Sequence, residues 1–454
     1  MAHPADPEAI GQESRRLREV AHRGIGEQVR AYWGLIGPGF LQSAMTLGGG
    51  TATASIFAGA VFGYSLLWVA PVAMVLGVMM LAAVAYQTLS TGTRPFDSMR
   101  RYVGAPIAWA WAIGALLASI IWHFSHYALG SALVMDLGSI VGLELSPVSG
   151  GVIVLVWAVA ISMLYGLSAA WVRAYERLLK YIVWLVILCF GWVVSQTGIS
   201  DWGALLRGFF TFELPADRAG VAAATIVLSG LSAAVGVNQI FLYPYTLLAR
   251  GWGRDHRRLA FFDLGAGTLA PYILATSLIV IATANTIHLD PSYDGMRLSP
   301  VQAAQSLSSV IGPTLGRAIF DLGLLGMVLS SITLHMLACA FVCTEIFGWE
   351  FGGTRYRLAM LLPIPGFLGC LYWSEIAVWV AVPTNIVCGL FLPAAYFGFI
   401  RLQRNRSYLG EDRPEGPVAN VWLAGMAAGT ILLSTFFVWY LLTSGPSYFA
   451  KMFT

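Results

Sequence analysis

The chain has 454 residues, of which 57% are hydrophobic and only 11% are charged, and its mean hydropathy is +0.72. This composition excludes an ordinary soluble globular protein and indicates a polytopic membrane protein embedded in a lipid bilayer. The formal net charge of +3 is small and indicates no nucleic-acid partner.

Residues 1–32 are predicted to form a cytoplasmic N-terminal tail. They are polar and Arg-rich and lack the early apolar core of a cleavable signal peptide, so the first membrane helix is expected to direct insertion. Within this tail, residues 8–31 fit either a short amphipathic helix on the lipid headgroups or an unstructured polar segment.

Eleven stretches after the tail are apolar enough to cross a membrane, for which about 20 residues in a helix suffice. They form one predicted transmembrane domain over residues 33–443, and a C-terminal tail follows at 444–454. The predicted spans are 34–60, 65–90, 106–140, 150–169, 178–197, 221–249, 260–286, 316–346, 357–373, 376–400 and 420–443.

The distribution of Lys and Arg predicts the topology, because cytoplasmic loops carry an excess of positive charge. With eleven crossings, nearly all of the 26 Lys and Arg residues fall on the side of the N-terminal tail. We therefore expect a protein of the plasma (inner) membrane with a cytoplasmic N-terminus and an extracellular C-terminus. The residues expected on the opposite side are Arg207, Arg218, Arg297, Arg317 and Lys451.

The first predicted span is interrupted by Gly48, Gly49 and Gly50, which are followed by Thr51. Backbone groups cannot stay unpaired in hydrocarbon unless they line a cavity or are covered by protein, so a broken span indicates a functional site. A single glycine in a membrane helix usually serves close packing, but three in succession make packing alone a poor explanation.

The sixth predicted span is interrupted as well, by Gly230, Gly236, the polar pair Asn238 and Gln239, and Pro244. In transporters made of two inverted repeats, the first helix of each repeat is unwound at the membrane midplane and binds the substrate there. Breaks in spans one and six are therefore what a chain of five plus five spans predicts.

Five segments carry a resemblance to a known family: "GPGFL" (37–41), "AGAVFGYSLLWV" (58–69), "YERLLKYIVWLVIL" (175–188), "FDLGLLGMVLSSIT" (320–333) and "LFLPAAYFGFI" (390–400). With them the chain resembles the natural resistance-associated macrophage protein (NRAMP) family of metal transporters over nearly its whole length after residue 33.

This resemblance implies an all-α LeuT-type fold, with inverted repeats at about 34–197 and 221–400 and an eleventh helix at 420–443. It also implies a secondary transporter, such as a symporter, that works by alternating access and is coupled to H⁺ or Na⁺.

The metal-binding motifs of the family are missing from this sequence. The Asp-Pro-Gly-Asn break of the family's first helix falls on Gly48, Gly49, Gly50 and Thr51, so both side-chain ligands are absent. The helix-six motif, Met-Pro-His followed by Asn, falls on residues 236–239, where its Met is replaced by Gly and its His by Asn.

Two further family positions are carried over by the same alignment. A second helix-six His of the family falls on Tyr243, and the helix-ten Gln that reaches the metal falls on Asn385. The resemblance therefore places the substrate at Gly48, Gly49, Gly50, Thr51, Gly236, Asn238, Gln239 and Asn385.

The missing ligands decide which substrate we expect. Moving an ion into a low-dielectric interior costs of order 20 kcal/mol in the idealised Born limit, and this site has no anionic ligand to offset that cost. The local chemistry therefore favours a small polar organic solute, held by glycine amides at the start of a half-helix. One alternative is a divalent cation such as hydrated Mg²⁺ or another metal ion, and the other is a non-transporting relative with a sensor or structural role.

Ionisable residues inside the membrane are candidates for proton coupling, because their burial is costly. His126 and Asp136 lie on the third span, and His123 shares a helical face with His126. Together with Tyr243, His126 and Asp136 are our candidates for proton coupling. Hydrogen-bonded packing is their alternative role, and a metal site made by the His123–His126 pair is a further alternative.

Two other ionisable residues on the eighth span are assigned structural roles. His335 is expected to pack within the helix, and Asp321 is expected to form an ion pair with Arg317 four residues earlier. No phosphate-binding GxxxxGK[ST] loop, zinc-protease motif or Ser-His-Asp motif is present, so we expect neither an enzyme nor a bound cofactor.

Overall fold

A computed structural model of the chain describes residues 7–218, 220–291, 293, 303, 312, 314–374 and 377–443, without the side chains of 378 and 379. This part of the chain is almost entirely helical. The predicted C-terminal tail at 444–454 lies outside it.

The helices are numbered in chain order. They are α1 (Pro7–Val20), α2 (Ile25–Trp33), α3 (Pro38–Thr46), α4 (Gly49–Phe62), α5 (Val69–Thr91), α6 (Pro95–Tyr102), α7 (Ala105–Ile140), α8 (Pro147–Leu164), α9 (Ala169–Thr197), α10 (Trp202–Phe210), α11 (Ala223–Ala234), α12 (Val237–Ala249), α13 (Arg257–Leu264), α14 (Ala270–Ala284), α15 (Leu315–Phe347), α16 (Thr354–Met360), α17 (Gly369–Tyr372), α18 (Ala377–Gly389), α19 (Leu392–Gln403), α20 (Arg406–Leu409) and α21 (Pro417–Leu442).

Nine helical stretches within the described residues are long and apolar enough to cross a membrane, and the bent pair α3 and α4 makes a tenth. Each of the ten matches a predicted span, because hydrophobic length is a local property of the sequence. The nine are Val69–Thr91, Ala105–Ile140, Pro147–Leu164, Ala169–Thr197, Ala223–Ala249, Arg254–Leu289, Leu315–Phe347, Val380–Gln403 and Pro417–Leu442.

The ninth predicted span, 357–373, is not one continuous helix. The chain there forms α16, a 3₁₀ turn at Ile364–Leu368, and the short helix α17. Pro363 and Pro365 have no amide hydrogen to donate and interrupt an α-helix. Apolar length alone could not show this interruption.

The interrupted segment between α16 and α17 packs closely against α7. A Cβ on Gly366 would approach the backbone carbonyl carbon of His123 to 2.8 Å, and one on Gly369 would overlap the backbone of Phe124. These glycines let the irregular segment lie directly on α7, where its backbone is covered by protein rather than by lipid.

The helix ends follow ordinary capping chemistry. The hydroxyl of Ser146 accepts from the amide of Ser149 at 3.2 Å at the start of α8, and Ser168 accepts from Trp171 in the same way at the start of α9. At their other ends, α5 and α15 stop at Gly92 and Gly348, whose positive φ angles of 63° and 66° suit glycine.

The loops with the predicted positive excess meet on one face of the bundle. Arg254 and Arg257 both donate to Asp412, which joins the loop before α13 to the loop before α21. Desolvation raises the pKa of Asp412, but these hydrogen bonds outweigh it and hold the pKa below its usual range. On the same face, Glu13 of α1 lies 3.4 Å from His256.

Hydrogen bonds join the segment after α4 to loops before α10, after α10 and after α14. The Tyr64 hydroxyl donates to Asn285 at 2.6 Å, and the Ser200 amide donates to the same side-chain oxygen at 3.1 Å. The Trp68 indole donates to the carbonyl of Glu213 at 3.0 Å. These bonds connect described loops that the predicted alternation places on the same side, and the alternation itself stays a prediction.

Two long helices form the centre of the bundle. Helix α7 has 36 residues and α15 has 33, and they pack against each other and against the broken helices. They place polar side chains beside both helix breaks.

Candidate substrate site at the two helix breaks

The first break lies about two residues earlier than the glycine run suggested. Helix α3 ends at Thr46, Leu47 and Gly48 are non-helical, and α4 begins at Gly49 with a bend of 54° between the two helices. Gly49 and Gly50 are therefore the first residues of α4 and are not unwound. Of the three glycines, only Gly48 belongs to the gap itself.

Hydroxyl groups satisfy the carbonyls that α3 leaves unpaired at its end. Ser330 donates to the carbonyl of Ala44 at 3.1 Å, and Ser331 donates to that of Met45 at 2.9 Å. The Thr46 carbonyl accepts from Thr51 at 2.6 Å. A helix end inside a membrane needs such partners, and α15 supplies two of them.

The second break separates α11 from α12 at Val235 and Gly236, which are both extended. Gln239, in the first turn of α12, accepts from the Thr46 hydroxyl at 2.8 Å and donates to the Gln42 carbonyl at 3.3 Å. This side chain links the two breaks directly.

The other predicted amide residues also hold the structure together. Asn238 donates to the Ser119 hydroxyl of α7 at 2.9 Å. Asn385 accepts from the Trp122 indole at 2.8 Å and donates to the Gly50 carbonyl at 3.0 Å. The Asn385 amide therefore ties α18 to α7 and to α4.

A small cavity lies between the breaks. Its volume of about 20 Å³ holds roughly one water molecule or one ion. It is lined by backbone groups, hydroxyls, amides and two imidazoles, and no carboxylate lines it. The lining residues are Met45, Thr46, Gly48, Gly50, Thr51, Trp122, His126, Ala233, Gly236, Asn238, Gln239, Ser331, His335 and Asn385.

The structure brings seven of the eight predicted substrate residues to this cavity. The exception is Gly49, where an added Cβ would face Leu129 at 3.3 Å and Val328 at 3.6 Å. Successive residues of a helix point about 100° apart, so Gly48 and Gly50 reach the cavity while Gly49 turns away.

The three proton-coupling candidates have different surroundings. His126 lines the cavity, whereas Tyr243 is fully buried outside it. Asp136 lies ten residues beyond His126 on α7, which is about 15 Å along the helix. Only His126 is placed to meet a substrate in the cavity.

Arg317 pairs with a different carboxylate from the one predicted. Its Nε donates to Asp136 at 2.6 Å, across to α7, and another of its nitrogens donates to the Ser139 hydroxyl at 2.9 Å. The predicted partner, Asp321, is fully buried beside Asp136 instead. Sequence spacing along one helix could not reveal a partner on another helix.

Two further histidines join His126 in a cluster: His335, which the sequence assigned to packing, and His123, which the sequence paired with His126 as a possible metal site. The ring centroids of His126 and His335 are 5.0 Å apart, and those of His123 and His335 are 5.7 Å apart. Of the added pair, only His335 lines the cavity. Its position in the middle of an apolar span, near Ser330 and Ser331, was the one sequence signal that pointed to the site.

Ten apolar spans, with the first and sixth broken around a shared cavity, define a multi-pass membrane protein with the architecture of secondary transporters. Residues 39–440 match the family described as "Natural resistance-associated macrophage protein-like". The chain belongs to this family, as the sequence resemblance predicted.

A curated relative from Nostoc sp. is named "Divalent metal cation transporter MntH". It is 24% identical over 443 residues, and the alignment covers 94% of each chain. A second MntH protein, from Agrobacterium fabrum, is 22% identical and covers 86% of this chain and 83% of its own. Both relatives are named as transporters rather than as enzymes.

Solved structures confirm the predicted fold. The manganese transporter of Eremococcus coleocola superposes with a TM-score of 0.71 at 14% identity, covering 93% of this chain and 90% of its own. MhsT in complex with L-phenylalanine superposes with a TM-score of 0.59, also at 14% identity. The superposition covers 88% of this chain and 97% of MhsT. At this identity the likeness shows the LeuT-type fold alone.

Within the described residues, no group of three or more His, Cys, Asp or Glu side chains is arranged to hold a metal ion. A cation in the cavity would meet backbone carbonyls, hydroxyls, amides and imidazoles.

Proposed function

We propose that this chain is a secondary transporter that carries a divalent metal cation by alternating access and binds it in the cavity between the two helix breaks. The names of its relatives support the cation, which the sequence offered as the alternative to an organic solute. The predicted coupling ion, H⁺ or Na⁺, is part of the same proposal.

The observation that carries the proposal is the size and lining of the cavity. A volume of about 20 Å³ suits one ion or one water molecule, whereas an amino acid is several times larger. The carboxyl ends of α3 and α11 reach the cavity with Met45, Thr46 and Ala233, and the dipole of a helix end of this kind favours a cation.

At the second break, two backbone amides that could bind an organic anion already donate hydrogen bonds within the protein. The Gly236 amide donates to Gln239 at 3.4 Å, and the Gln239 amide donates to Asn238 at 3.0 Å. The helix ends at the second break are therefore better arranged to offer carbonyl oxygens than free amide hydrogens.

A neutral site requires the ion to keep part of its hydration. Without a carboxylate, the cost of full dehydration is not offset, so waters must complete the coordination. Hydroxyls such as those of Thr46, Thr51 and Ser331 lie at the cavity and can hold such waters, because each has lone pairs that accept hydrogen bonds.

A polar network closes the path on the side of the N-terminal tail. Asp263 accepts from the amides of Gly37 and Gly39 at 3.2 and 2.6 Å, and so holds the start of α3. Beside it, Arg250 donates to Glu176 of α9 at 2.9 Å. Opening toward this side requires α3 to leave Asp263, which gives alternating access a defined set of bonds to break.

Uptake into proteoliposomes tests the proposal. The full-length protein is reconstituted with an ion-sensitive dye inside, and Mn²⁺, Co²⁺, Zn²⁺ and Mg²⁺ are added outside in turn. We expect at least one of them to enter faster than into protein-free liposomes, and a proton or Na⁺ gradient to change its rate. Uptake of a labelled amino acid without any of these cations would overturn the proposal.

A further inference from the structure

We propose that His126 and His335 form an imidazole ligand pair for the cation in the cavity. The inference rests on the proposed function, since it names two ligands of the same site. It is carried by the geometry of two buried rings.

His126 presents a free nitrogen lone pair to the helix break. Its Nδ1 lies 2.6 Å from the carbonyl of Trp122, which can only accept, so Nδ1 must carry the hydrogen. Its Nε2 is then an acceptor, has no hydrogen-bond partner and is buried. An added Cβ on Gly48 would lie 3.0 Å from this Nε2, which places the nitrogen at the break.

His335 supplies the second ring from α15. It stacks on Trp122 at 5.3 Å between ring centroids, with the planes 19° apart, and only 2% of its surface is exposed. Its Nδ1 has no hydrogen-bond partner. A buried polar nitrogen without a partner is costly, and an ion in the cavity would remove that cost.

The spacing of the two rings fits a shared ion. Their centroids are 5.0 Å apart and their planes make an angle of 74°. Two imidazoles bound to one ion through bonds of about 2.1 Å hold their centroids roughly 5 Å apart. The observed separation therefore requires no large movement of either helix.

His123 is not part of the pair, although it belongs to the same cluster. Its ring centroid is 6.4 Å from that of His126, its Nδ1 lies 2.8 Å from the Ser119 carbonyl, and it does not line the cavity. No three ionisable side chains within the described residues can hold a metal together. Carbonyls, hydroxyls and water would complete the coordination around the pair.

Imidazole decides the class of ion. Neutral imidazole is a good ligand for Zn²⁺, Fe²⁺, Co²⁺ and Ni²⁺, whereas Mg²⁺ prefers oxygen ligands and keeps its waters. Two imidazole nitrogens at a cavity without a carboxylate therefore favour binding of a transition ion and contribute little to binding of Mg²⁺.

Co²⁺ absorption tests the ligand pair independently of transport. Co²⁺ is titrated into purified full-length protein, and its visible bands are recorded for the wild type, His126→Gln, His335→Gln and the matched control His123→Gln. We expect the control to bind like the wild type, and the other two variants to lose at least tenfold in affinity and to show the bands of an oxygen-ligated ion. A hundredfold excess of Mg²⁺ should not displace Co²⁺ from the wild type.

The outcomes separate this inference from the proposed function. If His126→Gln and His335→Gln bind Co²⁺ as the control does, or Mg²⁺ displaces it, the ligand pair is wrong, and cation uptake by the wild type would still support transport. Histidine-dependent Co²⁺ bands without uptake of any cation would support the pair and overturn transport. If a glutamine variant does not fold into a monodisperse protein, the asparagine variant at the same position is measured instead. The Mg²⁺ competition on the wild type then tests the ligand pair without any substitution.

Discussion

Adjacent glycines at the first break have different roles because their missing side chains would face different neighbours. Gly50 faces the Asn385 amide, which also accepts from Trp122 and donates to the Gly50 carbonyl. Gly49 faces a methyl group of Leu129. Close packing therefore requires glycine at residue 50 but not at residue 49.

We predict that Gly50→Ala reduces cation uptake at least tenfold and that Gly49→Ala does not. The added methyl group at residue 50 overlaps the Asn385 side chain, so its bonds must break, at a cost of about 1–3 kcal/mol. At residue 49 the nearest atom is 3.3 Å away, on a side chain that can rotate.

The measurement is the proteoliposome assay, with thermal unfolding in detergent to compare the two variants. Both changes place alanine in the first turn of the same helix, so helix propensity is matched between them. Equal uptake by the two variants would contradict the role given to Gly50.

At the scale of elements, pairing between long helices holds the bundle beside the cavity. The Asp136–Arg317 pair joins α7 to α15, and the Asp136 side chain is almost fully buried while that of Arg317 is 22% exposed. Ser330 and Ser331 join α15 to a different neighbour, since their hydroxyls donate to carbonyls at the end of α3. Helix α15 thus supports both the scaffold and the break.

We predict that Asp136→Asn lowers the stability of the protein by about 2 kcal/mol, seen as a melting temperature about 2 °C lower. The change leaves the Arg317 guanidinium without its ionised partner, and partial exposure of Arg317 keeps the loss below that of a fully buried pair. The matched control is Asp97→Asn, whose pair with Arg100 is exposed on both sides and should contribute about 0.5 kcal/mol or less. Equal melting temperatures for the two variants would show that the Asp136–Arg317 pair stabilises the protein no more than the exposed Asp97–Arg100 pair does.

For the molecule as a whole, the two faces of the bundle are distinguishable by charge. The face that carries α1, Arg254 and Arg257 holds most of the positive residues, and the face that carries Tyr64, Asn285 and Glu213 holds few. The positive-inside rule makes the first face cytoplasmic, and this orientation stays a prediction.

Cysteine labelling tests the orientation. The five native cysteines are buried, so a cysteine introduced at an exposed loop residue gives a specific signal. We expect Glu213→Cys to react with a membrane-impermeant maleimide in intact cells, and Glu415→Cys to react only after permeabilisation. The reverse pattern would invert the proposed topology.

Ten of the eleven predicted spans match apolar helical stretches in the described part of the chain, and the two helix breaks and the family could also be predicted from the sequence alone. These features depend on local properties: hydropathy over about 20 residues, the conformational freedom of consecutive glycines and short sequence motifs. The ninth predicted span is not a continuous helix, because Pro363 and Pro365 interrupt it while the segment stays apolar enough over its whole length to be counted as a span.

The tertiary structure alone decided which side chains share the cavity. Gly49 and Gly50 are adjacent in sequence and point apart, whereas His126 and His335 are distant in sequence and meet at 5.0 Å. Arg317 likewise pairs across 181 residues with Asp136. The rotation of each helix about its axis sets these contacts, and that rotation is determined by packing against helices from elsewhere in the chain.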